Sequence, residues 1–240
     1  MDEAARGVDG AGPVDRARVA VVVAAGGSPD LALLATVAEG DDVLVVAADS
    51  GAAHAVAAGL DIDVLVGDLD SIDPALLAML DAAGVPIERH PVAKDATDLE
   101  LAIEVALREG ATTVHVVGGH GGRVDQSFAN AFIVSSPVYG HVRMHAVLDS
   151  ARVSVVHGGG AVSIEGAPGD VVTLLPMHGD ATGVRTTGLE YPLHGETLRA
   201  GTTRGVSNVL LDREATVSLD TGTLLVVRPG PELPPDGGME

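Results

Sequence analysis

The run from Arg18 to Gly27, RVAVVVAAGG, decides the fold. It is almost continuously apolar and ends in two glycines, a pattern typical of a parallel strand that is buried on both faces. Val43 to Ala48 and Ile62 to Val66 repeat the pattern. A capping box, Thr97 to Glu100, predicts the start of a helix that ends at Gly110. Alternating strands and helices of this kind predict a mostly parallel sheet with helices on both faces.

The pattern changes at about residue 150. Beyond it the sequence contains short β-prone runs separated by Gly, Pro, Asp and Asn, and no convincing helix. This spacing predicts a small β-sandwich or barrel. We therefore predict an α/β domain over residues 16–149 and an all-β domain over residues 150–230. Residues 1–15 and 231–240 have compositions typical of a disordered arm and a disordered tail.

Charge and composition argue against several kinds of partner. The chain has 34 Asp and Glu residues against 14 Lys and Arg, a formal net charge of −20, so nucleic acid and anionic membranes are poor partners. No apolar run reaches the ~18 residues that cross a bilayer. The sequence has no Cys, which excludes disulfides and fits the cytoplasm. We expect a cytoplasmic protein that binds neither nucleic acid nor membranes.

Acidic residues follow the predicted strands. Asp49 comes directly after one strand, and Asp68 and Asp70 come after the next. Ligands of open α/β sheets bind beyond the carboxyl ends of the strands, and side chains two residues apart in an extended backbone point to the same side. Asp98 begins the capped helix, just after Asp95. A single Asp of this kind is more often a cap or turn residue, whereas the whole set favours Mg²⁺ shared with a phosphate.

A Gly-rich segment from Gly118 to Arg123 follows another predicted strand and precedes a helix. Its glycines can present successive backbone N–H groups to an anion, and Arg123 can add charge-assisted hydrogen bonds to phosphate. Lys94, the only lysine of the chain, lies within an acidic segment. The loop matches neither the GxGxxG nor the P-loop pattern. The combination therefore predicts a metal-bound polyphosphate as the ligand rather than a dinucleotide.

Six short segments occur in a fixed order: DSG at 49–51, GDLDS at 67–71, KDATD at 94–98, GGRVDQSFAN at 121–130, GLEYPL at 188–193 and GVSN at 205–208. In this order they resemble the motifs of the thiamine pyrophosphokinase family, and the resemblance runs from about Val21 to Val227. It implies an N-terminal, mostly parallel Rossmann-like sheet with helices on both faces, a C-terminal all-β sandwich, and a homodimer with its active sites between the subunits.

The resemblance also implies a reaction, the transfer of pyrophosphate from ATP to the hydroxyl of thiamine, giving thiamine diphosphate and AMP. ATP would be the co-substrate and Mg²⁺ the metal. The implied metal ligands are Asp68, Asp70 and Asp98. The implied catalytic residues are Asp70, Asp98 and Arg123. The residues implied to bind ATP are Lys94, Asp95, Thr97, Gly121, Gly122, Arg123 and Asp125. Those implied to bind thiamine are Asp49, Ser207 and Asn208, the last two from the partner subunit.

Two departures from the family pattern bear on the substrate. Gln126 stands where many bacterial relatives have His, and the chain has no Trp to stack on thiamine. Two alternatives remain open at this point. One is pyrophosphate transfer to another hydroxymethyl heterocycle, such as a pterin. The other is a thiamine-binding sensor without activity, against which the intact carboxylates at 68, 70 and 98 argue.

Overall fold

The computed structural model describes residues 18–40, 42–121 and 123–230. The predicted N-terminal arm, the predicted tail and Gly122 lie outside the described residues. The helices are α1 Leu31–Val37, α2 Gly51–Ala57, α3 Pro74–Ala82, α4 Asp98–Arg108 and α5 Val124–Val134, followed by a 3₁₀ turn at Pro137–Tyr139. The strands are β1 Arg18–Val23, β2 Val43–Ala48, β3 Val64–Gly67, β4 Ile87–Arg89, β5 Ala111–Val117, β6 Arg143–Leu148, β7 Ala151–His157, β8 Ala161–Glu165, β9 Val171–Thr187, β10 His194–Leu198, β11 Asn208–Val209, β12 Glu214–Ser218 and β13 Thr221–Arg228.

The described strands form one large mixed sheet. Its main path runs β4-β3-β2-β1-β5-β6-β7-β13-β9-β12-β8, with β10 and β11 paired to β9. The pairs from β4 to β6 are parallel, and those from β6 onward are antiparallel. The strand order reverses between β1 and β5, and such a reversal is where open α/β sheets bind their ligands. The predicted mostly parallel sheet is therefore the first half of a longer, mixed one.

Helices cover both faces of the parallel strands. Val22 of β1 lies in one core with Ile103 of α4, whereas the preceding residue, Val21, lies in another core with Leu34 of α1. The central strands are thus buried on both sides, which is why their sequence is apolar at every position. The predicted helix start is confirmed, since Thr97 Oγ1 accepts a hydrogen bond of 3.2 Å from the Glu100 N–H. No described helix is long and apolar enough to cross a membrane.

A third core contains residues of strands and of the loops between them, and no helical residue among those described. Leu174 and Val184 of β9, Val217 of β12 and Leu224 of β13 belong to it. Strand β9 connects the layers because its first part pairs with β13 and its second part with β10 and β12. Parallel pairing gives way to antiparallel pairing at the hairpin between β6 and β7, but the sheet continues across it. The domain boundary at 149/150 therefore stays a prediction.

Candidate functional site

A cavity lies at the point where the strand order reverses. Its volume is about 150 Å³. It is bounded by the carboxyl ends of β1, β2 and β5 and by the first turns of α4 and α5. Three of the predicted site residues, Asp49, Thr97 and Asp98, line it. The other lining residues are Ala24, Ala25, Ala48, Leu99, Gly119, Gln126 and Asn130.

Three carboxylates meet beside this cavity. Asp49, Asp68 and Asp70 each offer one oxygen, and these oxygens lie within 4.8 Å of one another. The local backbone differs from the extended one that we expected, because Leu69 has a φ of 63° and the Asp70 N–H donates to Asp68 Oδ1 at 3.3 Å. A turn, rather than a strand, therefore brings Asp68 and Asp70 together.

Asp49 occupies a strained and buried position. Its φ is 48°, and only 5% of its surface is exposed. Its Oδ2 accepts a hydrogen bond from Ser71 Oγ, whereas Oδ1 is buried and has no hydrogen-bond partner among the described residues. A side chain at Gly51 would collide with the carbonyl oxygen of Val23, 2.2 Å from the position of its Cβ. Strain and unpaired buried oxygens cost free energy and are concentrated at functional sites.

Lys94 links two of the acids across the turn. Its Nζ donates to Asp98 Oδ1 at 2.5 Å and to Asp68 Oδ2 at 3.4 Å, and its side chain is only 13% exposed. Burial acts to lower the pKa of Lys94, but the bonds and charges of Asp98 and Asp68 outweigh it and raise that pKa above its usual value. The ammonium therefore remains charged at neutral pH.

The acids shift one another's pKa values. Burial acts to raise the pKa of Asp68, but the Asp70 N–H and Lys94 hold it below its usual value. The charge of Asp68 raises the pKa of Asp70, and Asp49 and Asp98 add to this effect. Asp98 Oδ1 lies 3.1 Å from where a Cβ would stand on Gly67, and the Asp49 Cβ lies 3.2 Å from the same point. Asp98 and Asp49 therefore approach the same point beside Gly67, and Lys94 joins Asp98 to Asp68.

The Gly-rich loop is used differently from our expectation. The N–H groups of Gly118 and Gly119 donate to the carbonyl oxygens of Val147 and Ala25 at 3.1 and 2.8 Å. These two groups are therefore not available to an anion. The Gly119 carbonyl in turn accepts a 2.7 Å hydrogen bond from the buried Asn130 side chain. Of the predicted phosphate-binding glycines, Gly121 is described and Gly122 lies outside the described residues.

Arg123 and Asp125 form an exposed pair at the start of α5. Arg123 Nε donates to Asp125 Oδ1 at 3.1 Å and Nη2 donates to Oδ2. The pairing raises the pKa of Arg123 and lowers that of Asp125. Their side chains are 70% and 64% exposed. Neither Arg123 nor Asp125 is hydrogen-bonded to the carboxylates of the acid cluster. Asp95 is exposed as well and lies outside that cluster.

The residues predicted on the thiamine side are separated. Asp49 belongs to the acid cluster, whereas Ser207 lines a different cleft of 940 Å³ beside β7 and β13. Ser207 has a φ of 59°, and its N–H donates to Thr173 Oγ1 at 3.0 Å. Asn208 is buried, and its side chain accepts from the Tyr191 N–H at 3.0 Å and donates to the Tyr191 carbonyl at 2.8 Å. Asn208 therefore holds Tyr191 in place.

Several residues at the site carry no sequence signal of their own. Ser71 bonds Asp49, Asn130 bonds the Gly119 carbonyl, and His120 Nδ1 accepts from the Asp149 N–H at 2.9 Å. Ser71 and Asn130 lie inside the motifs that carry the resemblance, which is the only signal that could have found them. Tyr191 also lies inside a motif and is 63% exposed.

The donor set fits a hard divalent cation. All the candidate ligand atoms are carboxylate oxygens, which Mg²⁺ prefers. The buried Asp49 Oδ1 needs a positive partner, and the mutual repulsion that raises the pKa of Asp70 would be relieved by one. The cluster around this position consists of Asp49, Asp68 and Asp70, with Asp98 joined to it through Lys94.

The fold and the site define a class, an α/β protein with an acid-lined cavity at the carboxyl edge of a parallel sheet. Within that class, two family models match the chain. They are "Thiamin pyrophosphokinase, catalytic domain" over residues 38–146 and "Thiamin pyrophosphokinase, vitamin B1 binding domain" over residues 162–224. The chain belongs to the thiamine pyrophosphokinase family.

Individual relatives agree with this assignment. The thiamine pyrophosphokinase of Bacillus subtilis (strain 168) is 24% identical over 206 residues, which cover 86% of this chain and 96% of that protein. The fold of the present chain is shared by a crystal structure of thiamine pyrophosphokinase from Bacillus subtilis. The TM-score is 0.79 at 23% identity, over 89% of this chain and 100% of that chain. The enzyme from Geobacillus thermodenitrificans gives a TM-score of 0.75 at 25% identity, over 89% and 98% of the two chains.

Proposed function

We propose that this protein transfers the pyrophosphoryl group of ATP to the hydroxyl of thiamine, giving thiamine diphosphate and AMP. The observation that carries the proposal is the acid cluster of Asp49, Asp68 and Asp70 at the switch point of a chain that matches both domains of the family. Pyrophosphoryl transfer depends on positioning and on neutralising charge more than on covalent help from the protein. A cavity lined by carboxylates for a metal ion is suited to that task.

Mg²⁺ would be held by Asp68 and Asp70, with Asp98 and Asp49 beside them. When bound, it would neutralise part of the charge of the polyphosphate. Arg123 would leave Asp125 and bind phosphate oxygens through its planar fork. Lys94, Thr97, Gly121 and Gly122 would complete the ATP side, together with Asp95 and Asp125. These roles rest on the resemblance and on the position of α4 and α5 at the cavity.

The transfer forms one bond and breaks one. The thiamine hydroxyl oxygen attacks the β-phosphorus, and the bond from that phosphorus to the oxygen of the α-phosphate breaks, so that AMP leaves. Asp70 or Asp98 accepts the hydroxyl proton. The position of Asp70 in the acid cluster, beside the proposed metal, supports this assignment.

Thiamine would be bound by Asp49 from one subunit and by Ser207, with Asn208 behind it, from the other. The separation of Asp49 and Ser207 into different clefts of one chain supports a site shared between two copies. Tyr191 would stack on the thiamine ring, a role supported by the hydrogen bonds of Asn208 to its backbone and by its 63% exposed side chain. Residues 150–230 would form the β-sandwich for thiamine binding and dimerisation, and residues 16–149 the Rossmann-like unit for ATP and metal.

An exposed apolar ridge supports the homodimer. Val124, Phe128 and Phe132 recur every four residues along α5 and are 66%, 66% and 56% exposed. The chain has only two Phe residues, and both lie on this ridge. Exposed aromatic residues are enriched at protein interfaces.

The dimer is tested by light scattering. Phe128→Glu should convert a dimer to a monomer, whereas Val138→Glu, which changes an exposed residue outside the helix, should leave the dimer intact. A monomeric wild-type protein would contradict the proposed homodimer.

The reaction is tested by incubating the purified protein with ATP, thiamine and Mg²⁺ and by separating the products chromatographically. We expect AMP and thiamine diphosphate in equal amounts. Turnover of a hydroxymethylpterin in place of thiamine would support the pterin alternative. Thiamine binding in calorimetry without release of AMP would support the sensor.

A further inference from the structure

Two arginines lie directly opposite each other on neighbouring strands. Arg152 of β7 and Arg228 of β13 are register partners, and the next pair on the same face is Ser154 with Val226. Like charges in directly opposed positions destabilise a sheet. The chain has only 14 Lys and Arg residues against 34 acids. An anion bound between these two cations would relieve their repulsion.

No described carboxylate forms an ion pair with either arginine, although Asp170 Oδ2 and Arg228 Nη1 lie 2.7 and 3.3 Å from the point where a Cβ would stand on Gly166. Neither Arg152 nor Arg228 has a carboxylate oxygen of a described residue within 4.0 Å. Several nearby acids already accept hydrogen bonds from the chain: Asp30 from the N–H groups of Ala32 and Leu33, Asp170 from that of Ala167, and Glu214 from Ser163 Oγ. The acids that line the same space are Asp30, Asp149, Asp170, Glu165 and Glu214.

Both arginines border open space. They line the 940 Å³ cleft together with Ser150, Thr173 and Ser207. They also line two smaller hollows of 240 and 560 Å³ on the side of β8. Volumes of ~300–1,000 Å³ are typical of small-molecule sites. Two guanidinium forks beside hydroxyl groups are suited to the bidentate recognition of a phosphate group.

We propose that Arg152 and Arg228 form a binding site for the phosphate group of a phosphorylated small molecule. The site lies on the same edge of the sheet as the acid cluster, since Arg152 is the second residue of β7, which follows the end of β6, and its register partner Arg228 ends β13. Along that edge, β7 is four strands from β2, which Asp49 follows. At ~4.8 Å per strand this is roughly 19 Å, so within one chain the arginines do not contact a phosphate held at the acids.

The proposal is tested by calorimetry with inorganic pyrophosphate in the presence of EDTA, which removes divalent cations. We expect the wild-type protein to bind it, and Arg152→Gln and Arg228→Gln each to weaken binding by about tenfold. Arg199→Gln, which removes one exposed charge from the end of β10, is the matched control and should change the affinity by less than about twofold. Asp70→Asn should leave this binding unchanged, which separates the site from the proposed reaction.

Thermal unfolding without any added anion gives a second test. Because Arg228→Gln relieves the repulsion between opposed charges, it should raise the Tm by about 1–3 °C. A structural ion pair with Glu165 or Glu214 predicts the opposite, a lower Tm, and that result would overturn the proposal. Equal pyrophosphate binding by the wild type and by the double variant would overturn it as well.

The source of the phosphate is distinguished by the same assay with AMP and with thiamine diphosphate. Tighter binding of either than of inorganic pyrophosphate, lost in Arg228→Gln, would identify the site as one for a product of the proposed reaction. Arg228→Lys covers the case in which the glutamine variants do not fold, because it keeps the charge and removes the fork. It should weaken binding several-fold and leave the Tm unchanged.

Discussion

The acid cluster and the arginine pair are two places on one sheet edge where like charges are gathered. In the acid cluster, the chain partly compensates the charge itself, since Lys94 bridges Asp68 and Asp98. Arg152 and Arg228 form no ion pair with any described carboxylate. Asp49 is buried, Asp68 is half-buried and Asp70 is exposed, whereas the arginines border a wide cleft. The comparison shows that the fold partly compensates the like charges it gathers at the acid cluster, whereas those beside the open cleft are left to solvent or ligand.

The largest effect is expected at the acid cluster. Asp70→Asn should lower kcat by about 10³-fold, because it removes a carboxylate from the place where charge must be neutralised. The side chain is exposed, so the fold should be unaffected, as circular dichroism would show. Asp61→Asn, at an exposed aspartate before β3, is the control and should keep full activity. Near-normal turnover in Asp70→Asn would remove Asp70 from the site.

A large effect on stability is expected from Lys94. Lys94→Gln should lower the free energy of unfolding by about 3 kcal/mol in EDTA, because breaking a mostly buried ion pair leaves its carboxylates uncompensated. Added Mg²⁺ should recover part of this loss. Since the pKa of Lys94 is raised, its contribution is present at neutral pH and is lost only as the pH rises through that value. An unchanged denaturation midpoint would show that the acids do not need the ammonium.

The dependence of stability on acid pH distinguishes the acid cluster from two histidines on β5 and β6, the strands that lie between the cluster and the arginines. His115 and His145 stack with ring centroids 5.0 Å apart, and burial, together with His145, lowers the pKa of His115 to about 4. The unfolded chain therefore binds more protons between pH ~6.5 and ~4, so stability falls by about 2 kcal/mol as the pH drops through this range. Asp68, whose pKa is lowered, loses its contribution only below its usual value.

Urea denaturation at several pH values measures this effect. His115→Asn should flatten the loss of stability between pH ~6.5 and ~4, whereas the exposed His194→Asn should not. A wild-type protein with constant stability over this range would show that the stacked histidines do not titrate as proposed.

The smallest effect concerns salt. Raising NaCl from about 0.05 to 0.5 M should erase the difference in Tm between the wild type and Arg228→Gln, because the open cleft is screened. The difference caused by Lys94→Gln should persist, because its partners are mostly buried. Equal salt dependence of the two differences would contradict the distinction between a buried and an open cluster.

The parallel half was easier to predict than the antiparallel half. Val19 to Val23 is apolar without interruption, and such a run has few alternatives to a strand covered on both faces. Helix α1 and strand β4 gave weaker signals, since α1 has no charged residue to mark an exposed face and β4 is only three residues long. Strand β9 continues through Pro176 and two glycines, Gly179 and Gly183, where local propensity predicts breaks. Its pairing with β13, β10 and β12 overrides that propensity.

The same division holds at the candidate site. The positions of Asp49 and Asp68 after predicted strands placed them at one edge of the sheet, and the capping box placed Asp98 at the start of a helix. The turn at Leu69 was not predictable from spacing, and neither was the use of the Gly118 and Gly119 N–H groups inside the fold. Both depend on neighbouring strands that are distant in sequence.

The sequence by itself determined the alternating α/β first half, the β-rich second half, and the motifs that mark the family. These features are local, because periodicity, caps and turns act over a few residues. Only the tertiary structure decided that Lys94 lies between Asp68 and Asp98, that Asn208 holds Tyr191, and that Arg152 faces Arg228. Such contacts depend on strand order and register, which are set by packing across the whole sheet rather than by any single segment.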